Sequence, residues 1–240
     1  MRNRCGGAES RYEARGGHMT DLERRAALQA ARAEALAARV AGLLPLLDGT
    51  QRVLDVGSGL GALAFALAPR VREVVAVERD PEQVELLQVA APPNVVPLVG
   101  DGEHLDLPSY SFDVAGTLVT LHHTPRPELL VAELVRVTRP GGTLLVVDQI
   151  APVDPLEAVA LNAFERARDP STTRVLSDQD LRGLFDSNGL VLRHEEFVRE
   201  RRELESYLDL AGCEGPERDT ARALAPSGYE AEIGWYVLTR

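Results

Sequence analysis

The stretch Val53-Leu54-Asp55-Val56-Gly57-Ser58-Gly59-Leu60-Gly61 joins a short apolar run to three alternating glycines and an apolar segment that ends at Pro69. This order is typical of a buried strand that turns sharply into a helix. The glycines let the backbone approach a ligand closely, because no Cβ intrudes and the first amides of the helix point into the gap. Gly57, Gly59 and Ala62 also satisfy the dinucleotide pattern G-x-G-x-x-G/A, so the turn alone leaves the ligand open.

Beyond this turn, short apolar runs alternate with helical patterns, which predicts a parallel sheet covered by helices on both faces. We predict an α/β fold with a doubly wound, mostly parallel seven-stranded sheet and an antiparallel edge strand near the C-terminus. The predicted strands are Arg52–Val56, Glu73–Val77, Val95–Val99, Phe112–Leu118, Gly142–Asp148, Leu190–Val198 and Ile233–Thr239. The predicted helices lie near 60–69, 81–90, 126–138, 154–167 and 177–187.

The length of 240 residues is typical of one domain with a small insertion. Residues 1–18 lack periodicity, and Gly16-Gly17-His18-Met19 resembles a cloning junction. We therefore expect 1–18 to be disordered or cloning-derived, and 19–240 to form a single domain. Cap elements are predicted at 20–44, 150–175 and 203–225.

Composition excludes several classes of function. The formal net charge is −11 and all 26 basic side chains are Arg, so Schiff-base chemistry and the P-loop lysine are excluded and nucleic acid is an unfavourable partner. No apolar stretch approaches the length of a membrane span, and we expect no membrane association. The two cysteines, Cys5 and Cys213, indicate neither a disulfide framework nor a metal site, which favours the cytoplasm.

Acidic residues follow the next two predicted strands. Glu78 comes after the second strand, and Asp101 follows the third in Val99-Gly100-Asp101-Gly102-Glu103. The fifth strand is preceded by Arg139-Pro140-Gly141-Gly142. Together with the glycine turn, these motifs resemble the class I S-adenosylmethionine-dependent methyltransferases, and within them the small-molecule group related to the ubiquinone/menaquinone-biosynthesis C-methyltransferases. The resemblance covers residues 50–148 by motif and 149–190 more loosely, and it implies a Rossmann-like sheet.

The resemblance implies S-adenosylmethionine as the cofactor. Asp55 would favour its ammonium, Glu78 would accept from both ribose hydroxyls, and Asp101 would accept from the adenine amino group. These positions fall at the carboxyl ends of parallel strands, where open sheets of this kind bind ligands. The predicted cofactor-binding residues are Asp55, Gly57, Ser58, Gly59, Gly61, Glu78, Arg79, Asp101, Gly102, Glu103, Thr117 and Leu118.

His122 and His123, just after the fourth predicted strand, are the candidate catalytic residues. Imidazole is well suited to proton transfer near neutral pH, and a base is needed only where the acceptor must lose a proton. The alternative is structural: one ring bonds a loop carbonyl and the other faces solvent.

The resemblance also implies an acceptor pocket roofed by 20–44 and by 150–175. An apolar wall is expected from Leu156, Val159, Leu161 and Phe164. A clamp for an acceptor carboxylate or phosphate is expected from Arg166, Arg168 and Arg174, the alternative being that these charges are only solvated. Tyr207 is a further lining candidate, and Tyr12 is the one early aromatic residue that could close over the cofactor.

The sequence thus favours methyl transfer to a small, partly apolar acceptor. One alternative is an NAD(P)-dependent oxidoreductase, although the short-chain type needs a Tyr and Lys pair and this chain has no Lys. The other is a non-catalytic cofactor-binding interaction protein.

Overall fold

A computed structural model describes residues 33–226 and 228–240. The predictions for 1–18 and Tyr12, and for the first part of the cap element at 20–44, lie outside these residues. No helix within the described ranges is long and apolar enough to cross a membrane.

The centre of the fold is one seven-stranded sheet in the order β3-β2-β1-β4-β5-β7-β6. The first five strands are parallel, β7 is antiparallel to β5, and β6 is antiparallel to β7. The predicted mixed, mostly parallel sheet is confirmed, with β7 inserted between β5 and the edge strand β6. The strands are β1 Arg52–Val56, β2 Glu73–Glu78, β3 Val95–Val99, β4 Phe112–Leu118, β5 Thr138–Ile150, β6 Val191–Arg201 and β7 Glu230–Thr239.

Helices connect these strands and end close to the predicted positions. The first predicted helix is α-helical only as far as residue 67, and a short 3-10 turn follows at Ala68–Arg70. The α-helix ends there because Pro69 lacks the amide that would continue it. The predicted excursion at 203–225 is two helices. The helices are α1 (33–43), α2 Ala62–Leu67, α3 Pro81–Ala90, α4 Pro127–Val137, α5 Pro155–Arg168, α6 Asp178–Ser187, α7 Leu204–Leu210 and α8 Gly215–Leu224.

Both faces of the sheet are covered by apolar packing. Alternate residues of β1 enter different clusters: Val53 packs with residues of α1, α2, α5 and α8, whereas Leu54 packs with residues of α4 and α6. This alternation follows from the two-residue period of a strand.

Gly61 is a packing position at the start of α2. Its φ is +92°, and a Cβ there would collide with Leu87 Cδ1 and lie 3.1 Å from the ring of Phe65. We expect Gly61→Ala to lower the free energy of unfolding by about 1–3 kcal/mol, from the left-handed backbone and the overpacking. Urea unfolding measures this. Gly183→Ala is the control: it lies within α6 with nothing near its missing Cβ, and should stabilise by about 0.5–1 kcal/mol. Equal stability of Gly61→Ala and wild type would contradict the packing.

Candidate functional site

A cavity of about 1060 Å³ opens at the carboxyl ends of the parallel strands. This is slightly above the roughly 300–1,000 Å³ typical of small-molecule sites, so it has room for a cofactor and a small acceptor. Two of the predicted cofactor residues, Gly61 and Thr117, do not line this cavity. The predicted cofactor residues that do line it are Asp55, Gly57, Ser58, Gly59, Glu78, Arg79, Asp101, Gly102, Glu103 and Leu118.

The glycine turn forms one side of this cavity. Gly57 and Gly59 have φ values of +69° and +53°, and the amides of Gly57 and Ser58 donate to the carbonyl of Val77. A Cβ on Gly57 would collide with the side chain of Thr120, which itself donates to the Gly57 carbonyl over 3.2 Å. The turn is therefore held from β2 and from the segment after β4, and only glycine fits at its first position.

Asp55 lies at the base of the turn and is only 1% exposed. Its Oδ2 accepts from the Ala64 amide over 3.0 Å, but within the described part of the chain its Oδ1 has no partner. Burial, with a smaller contribution from the charge of Glu78, raises the pKa of Asp55 to about 7. A buried carboxylate oxygen without a donor is costly, and a cationic ligand group would supply the missing donor.

Glu78 connects the turn to the start of α3. Its Oε2 accepts from the Gly59 amide over 2.9 Å, and its Oε1 accepts from the amides of Arg79 and Asp80 over 2.8 and 3.1 Å. These three donors hold the carboxylate in one orientation at the cavity wall. About one acceptor position is left for a ligand, on Oε2, since an ionised carboxylate has about four such positions.

Asp101 and Glu103 lie after β3 and differ in their partners. Asp101 is exposed, and its Oδ1 accepts from the Glu103 amide over 2.9 Å. The Glu103 carboxylate is held by Arg126, with 2.8 Å between Nε and Oε2. A Cβ on Gly102 would lie 2.8 Å from Val56 Cγ1, so the chain passes close to the end of β1 here.

His122 is held by a carboxylate that the sequence analysis did not single out. Its Nδ1 lies 2.5 Å from Oδ1 of Asp148, and its backbone amide donates to Oδ2 over 3.3 Å. Both side chains are nearly buried, and His122 lines the cavity. Because Asp148 accepts at Nδ1, the neutral ring carries its proton there and leaves Nε2 as a base. The place of Asp148 at the end of the predicted fifth strand was the available signal.

His123 packs beside His122, with 4.1 Å between the ring centroids. Its Nδ1 lies 2.9 Å from the Ser171 hydroxyl. Burial, with the neighbouring His122 adding to it, lowers the pKa of His123 to about 4. The ring is therefore neutral near pH 7 and is a weak base.

The far side of the cavity is closed by residues 168–171, which belong to the expected roof element at 150–175, and by residues 200–211. The described part of the other roof element and the expected apolar wall do not close it. The described residues of α1 do not line it; Arg39 instead lies 4.9 Å from the ring centroid of Trp235. The apolar wall was wrong: Leu161 and Phe164 belong to the core, while Leu156 and Val159 are 81% and 67% exposed. Helical period explains the split, since residues on one turn of α5 face opposite sides.

The expected arginine clamp was also wrong as a trio. Arg174 pairs with Asp180 over 2.7 Å, and Arg166 donates to the Thr173 carbonyl over 3.4 Å. Of the three arginines, Arg168 alone lines the cavity, and Tyr207 lines it as expected.

A buried network supports this side. Glu165 accepts from Arg168 Nε over 2.8 Å, from the Tyr207 hydroxyl over 3.0 Å, and from Tyr229 and Gln149. Burial opposes its ionisation, but Arg168 and the other donors outweigh burial and lower the pKa of Glu165. Burial and the Glu165 charge raise the pKa of Tyr207 to about 12. Tyr207 is therefore a neutral donor fixed against a charged carboxylate.

Comparison with known proteins agrees with this geometry. Residues 54–146 match the family described as "Methyltransferase domain". The "uncharacterized methyltransferase YcgJ" of Bacillus subtilis is 36% identical over 143 residues, 58% of this chain and 56% of that protein. The 2-methyl-6-phytyl-1,4-hydroquinone methyltransferase of Synechocystis is 37% identical over 110 residues, 45% of this chain and 34% of that protein. The chain thus aligns with about half, or less, of the length of these curated relatives.

The crystal structure of YcgJ superposes with a TM-score of 0.74 at 23% identity, over 88% of this chain and 97% of that one, which shows a shared fold. The seven-stranded, mostly parallel sheet is thus a Rossmann-like fold that this chain shares with that protein. Within this chain, residues 54–146 belong to the methyltransferase domain family.

Proposed function

We propose that the protein transfers a methyl group from S-adenosylmethionine to a small, partly apolar acceptor by in-line displacement. The observation that carries this proposal is the unpartnered Oδ1 of buried Asp55 beside the glycine turn. The same cavity also contains His122, held by Asp148. A site for a cationic ligand thus lies next to a positioned base.

The described residues fit S-adenosylmethionine. Asp55 would take the ammonium, Glu78 the ribose hydroxyls and Asp101 the adenine amino group, with the amides of the turn around the methionine end. When bound, this molecule supplies a methyl group on a sulfonium whose positive charge already activates it for transfer. We also propose that the remaining predicted cofactor residues belong to this site, including Gly61 and Thr117, which do not line the cavity.

The task left to the protein is to align the acceptor, exclude water and remove a proton where the acceptor has one to lose. His122 Nε2 would take that proton from a hydroxyl or an acidic carbon. Asp148 would keep the ring in the required tautomer and stabilise the imidazolium, as the carboxylate of a Ser-His-Asp triad does. His123 would take a secondary part through its contact with His122.

Two observations support the proposed class of acceptor. The Synechocystis relative is named for a hydroquinone, a partly apolar small molecule, and the net charge of −11 disfavours a polyanion. We also propose that the protein is located in the cytoplasm and that it has no nucleic-acid partner.

Isothermal titration calorimetry against S-adenosylmethionine, S-adenosylhomocysteine, NAD and NADP tests the cofactor without knowledge of the acceptor. We expect the first two to bind and the dinucleotides not to bind. A screen with labelled methyl over small molecules and an RNA sample then tests the acceptor. Binding of a dinucleotide alone would favour an oxidoreductase, and cofactor binding without any methyl transfer would favour an interaction protein.

Glu78→Ala should weaken S-adenosylmethionine binding by about 1–3 kcal/mol, since charged hydrogen bonds to the ribose are lost. This corresponds to roughly 5- to 150-fold in the dissociation constant measured by calorimetry. Glu85→Ala, at an exposed position of α3, is the matched control and should bind as wild type. An unchanged affinity of Glu78→Ala would remove Glu78 from the cofactor site.

A further inference from the structure

Two arginines and one tyrosine form a compact group at the far side of the cavity. The guanidinium carbons of Arg168 and Arg202 lie 4.1 and 4.4 Å from the ring centroid of Tyr207. All three residues line the cavity. They come from the end of α5, the end of β6 and α7, so the group exists only in the folded chain.

Arg168 is fixed but has unused donors. Its side chain is 8% exposed, and its Nε donates to Glu165. Within the described part of the chain, its two terminal nitrogens make no hydrogen bond. Because Arg168 lines the cavity, a ligand there could accept from these terminal donors.

Arg202 is similar. Its side chain is 14% exposed, and its contact with a carboxylate is a 3.4 Å bond from Nη2 to Glu200. Among the described residues, its Nε and Nη1 have no partner. Two planar donor forks therefore lie over one aromatic ring with most of their hydrogen-bonding capacity unused.

The carboxylates around this group are largely committed to other donors. Glu165 accepts from Arg168, Tyr207, Tyr229 and Gln149, Asp169 accepts from the amide and hydroxyl of Ser171, and Glu203 caps α7 through the amides of Glu205 and Ser206. What this side of the cavity offers a ligand is thus arginine donors, in surroundings that already hold several negative charges.

We propose that the acceptor carries a carboxylate group, bound by Arg168 and Arg202, and that this pair selects the substrate. The inference rests on the proposed function for the identity of the ligand as acceptor. A planar carboxylate matches the guanidinium fork. A phosphate dianion fits less well, because Asp169, Glu200 and Glu203 would repel a second negative charge. Glu165 acts as the positioning residue for Arg168.

Matched pairs of small acids and their primary amides test this proposal: benzoate with benzamide, 4-hydroxybenzoate with its amide, and hexanoate with hexanamide, together with phenyl phosphate. Binding is measured by saturation-transfer NMR on the full chain, with and without S-adenosylhomocysteine. We expect acids to bind about tenfold or more tightly than their amides, and Arg202→Gln and Arg168→Gln each to remove this preference. Arg174→Gln, paired with Asp180 outside the cavity, is the control and should keep it.

Equal binding of acids and amides to the wild type would overturn the proposal, as would an acid preference that survives Arg202→Gln. Arg202→Gln leaves the Glu165 network intact, so it remains informative if Arg168→Gln fails to fold. Tighter binding of phenyl phosphate than of benzoate would overturn the choice of carboxylate. The affinity for S-adenosylhomocysteine, measured in parallel, reports separately on the proposed cofactor. If the wild type does not bind S-adenosylhomocysteine but still prefers acids to amides, the proposed function is overturned and the anion site is not.

Discussion

Replacing Asp55 by asparagine is expected to weaken S-adenosylmethionine binding by about 2–5 kcal/mol, roughly 30-fold or more. The carboxylate is buried, one of its oxygens has no partner among the described residues, and the proposed ammonium would pair with it in a site that excludes water. Asparagine keeps the shape and can still accept from the Ala64 amide, so the change removes the charge and little else.

The same residue should make cofactor binding depend on pH. The pKa of Asp55 in the folded protein is about 7, above its ordinary value of 3.8, so the unliganded folded state holds a proton that the unfolded state releases. Its contribution to stability is therefore present below about pH 4 and is lost as the pH rises through about 7. Ammonium binding needs the ionised form, so affinity should rise about eightfold between about pH 6 and about pH 7.5.

Calorimetry at several pH values on the wild type, Asp55→Asn and Asp186→Asn tests both the loss of affinity and the pH dependence. Asp186 lies on the exposed side of α6, and its variant should keep the affinity and the pH dependence of the wild type. Urea unfolding at about pH 8 provides a second readout, since Asp55→Asn removes a buried charge and should be no less stable than wild type. Tight, pH-dependent binding by Asp55→Asn would show that another group receives the ammonium.

His122→Gln is expected to lower the rate of methyl transfer about 10²- to 10⁴-fold, the usual contribution of a general base, while cofactor affinity stays within about twofold. Asp148→Asn should also lower the rate, because an asparagine can hold the ring in the wrong tautomer. His123→Ala should slow transfer by less than about tenfold, since a pKa of about 4 makes His123 a weak base.

The rates are measured with labelled S-adenosylmethionine and the acceptor found in the screen, at saturating acceptor and over a range of pH. A wild-type rate in His122→Gln would show an acceptor that needs no deprotonation and would leave both histidines with structural roles. Thermal unfolding of each variant separates a lost base from a lost fold.

Local chemistry made much of the fold predictable. Strands β1 to β4 lie within a residue of the predicted bounds, and the helix predicted near 177–187 is α6, which Ser177 caps. Strands β5, β6 and β7 extend beyond their predicted ends. Strand β5 reaches back to Thr138, which pairs with Phe112, and the charged ends of β6 and β7 pair with each other. Pairing with a neighbouring strand overrides local preference there, and no local pattern reports it.

The candidate site also has one part that the sequence predicts and one part that it does not. Asp55, Gly57 and Gly59, Glu78 and Asp101 are close to the ends of predicted strands, and parallel strands bring such ends to one edge whatever packs around them. The sequence by itself therefore determined the side of the cavity that faces the proposed cofactor. Asp148 beside His122, and Arg202 with Arg168 over Tyr207, depend on residues 26 and 34 positions apart meeting in space. Only the tertiary structure decided those contacts. The first arises from the pairing of β4 with β5 and the second from how α5, β6 and α7 pack on the sheet, and contacts over long sequence separations leave no periodic signal in the chain.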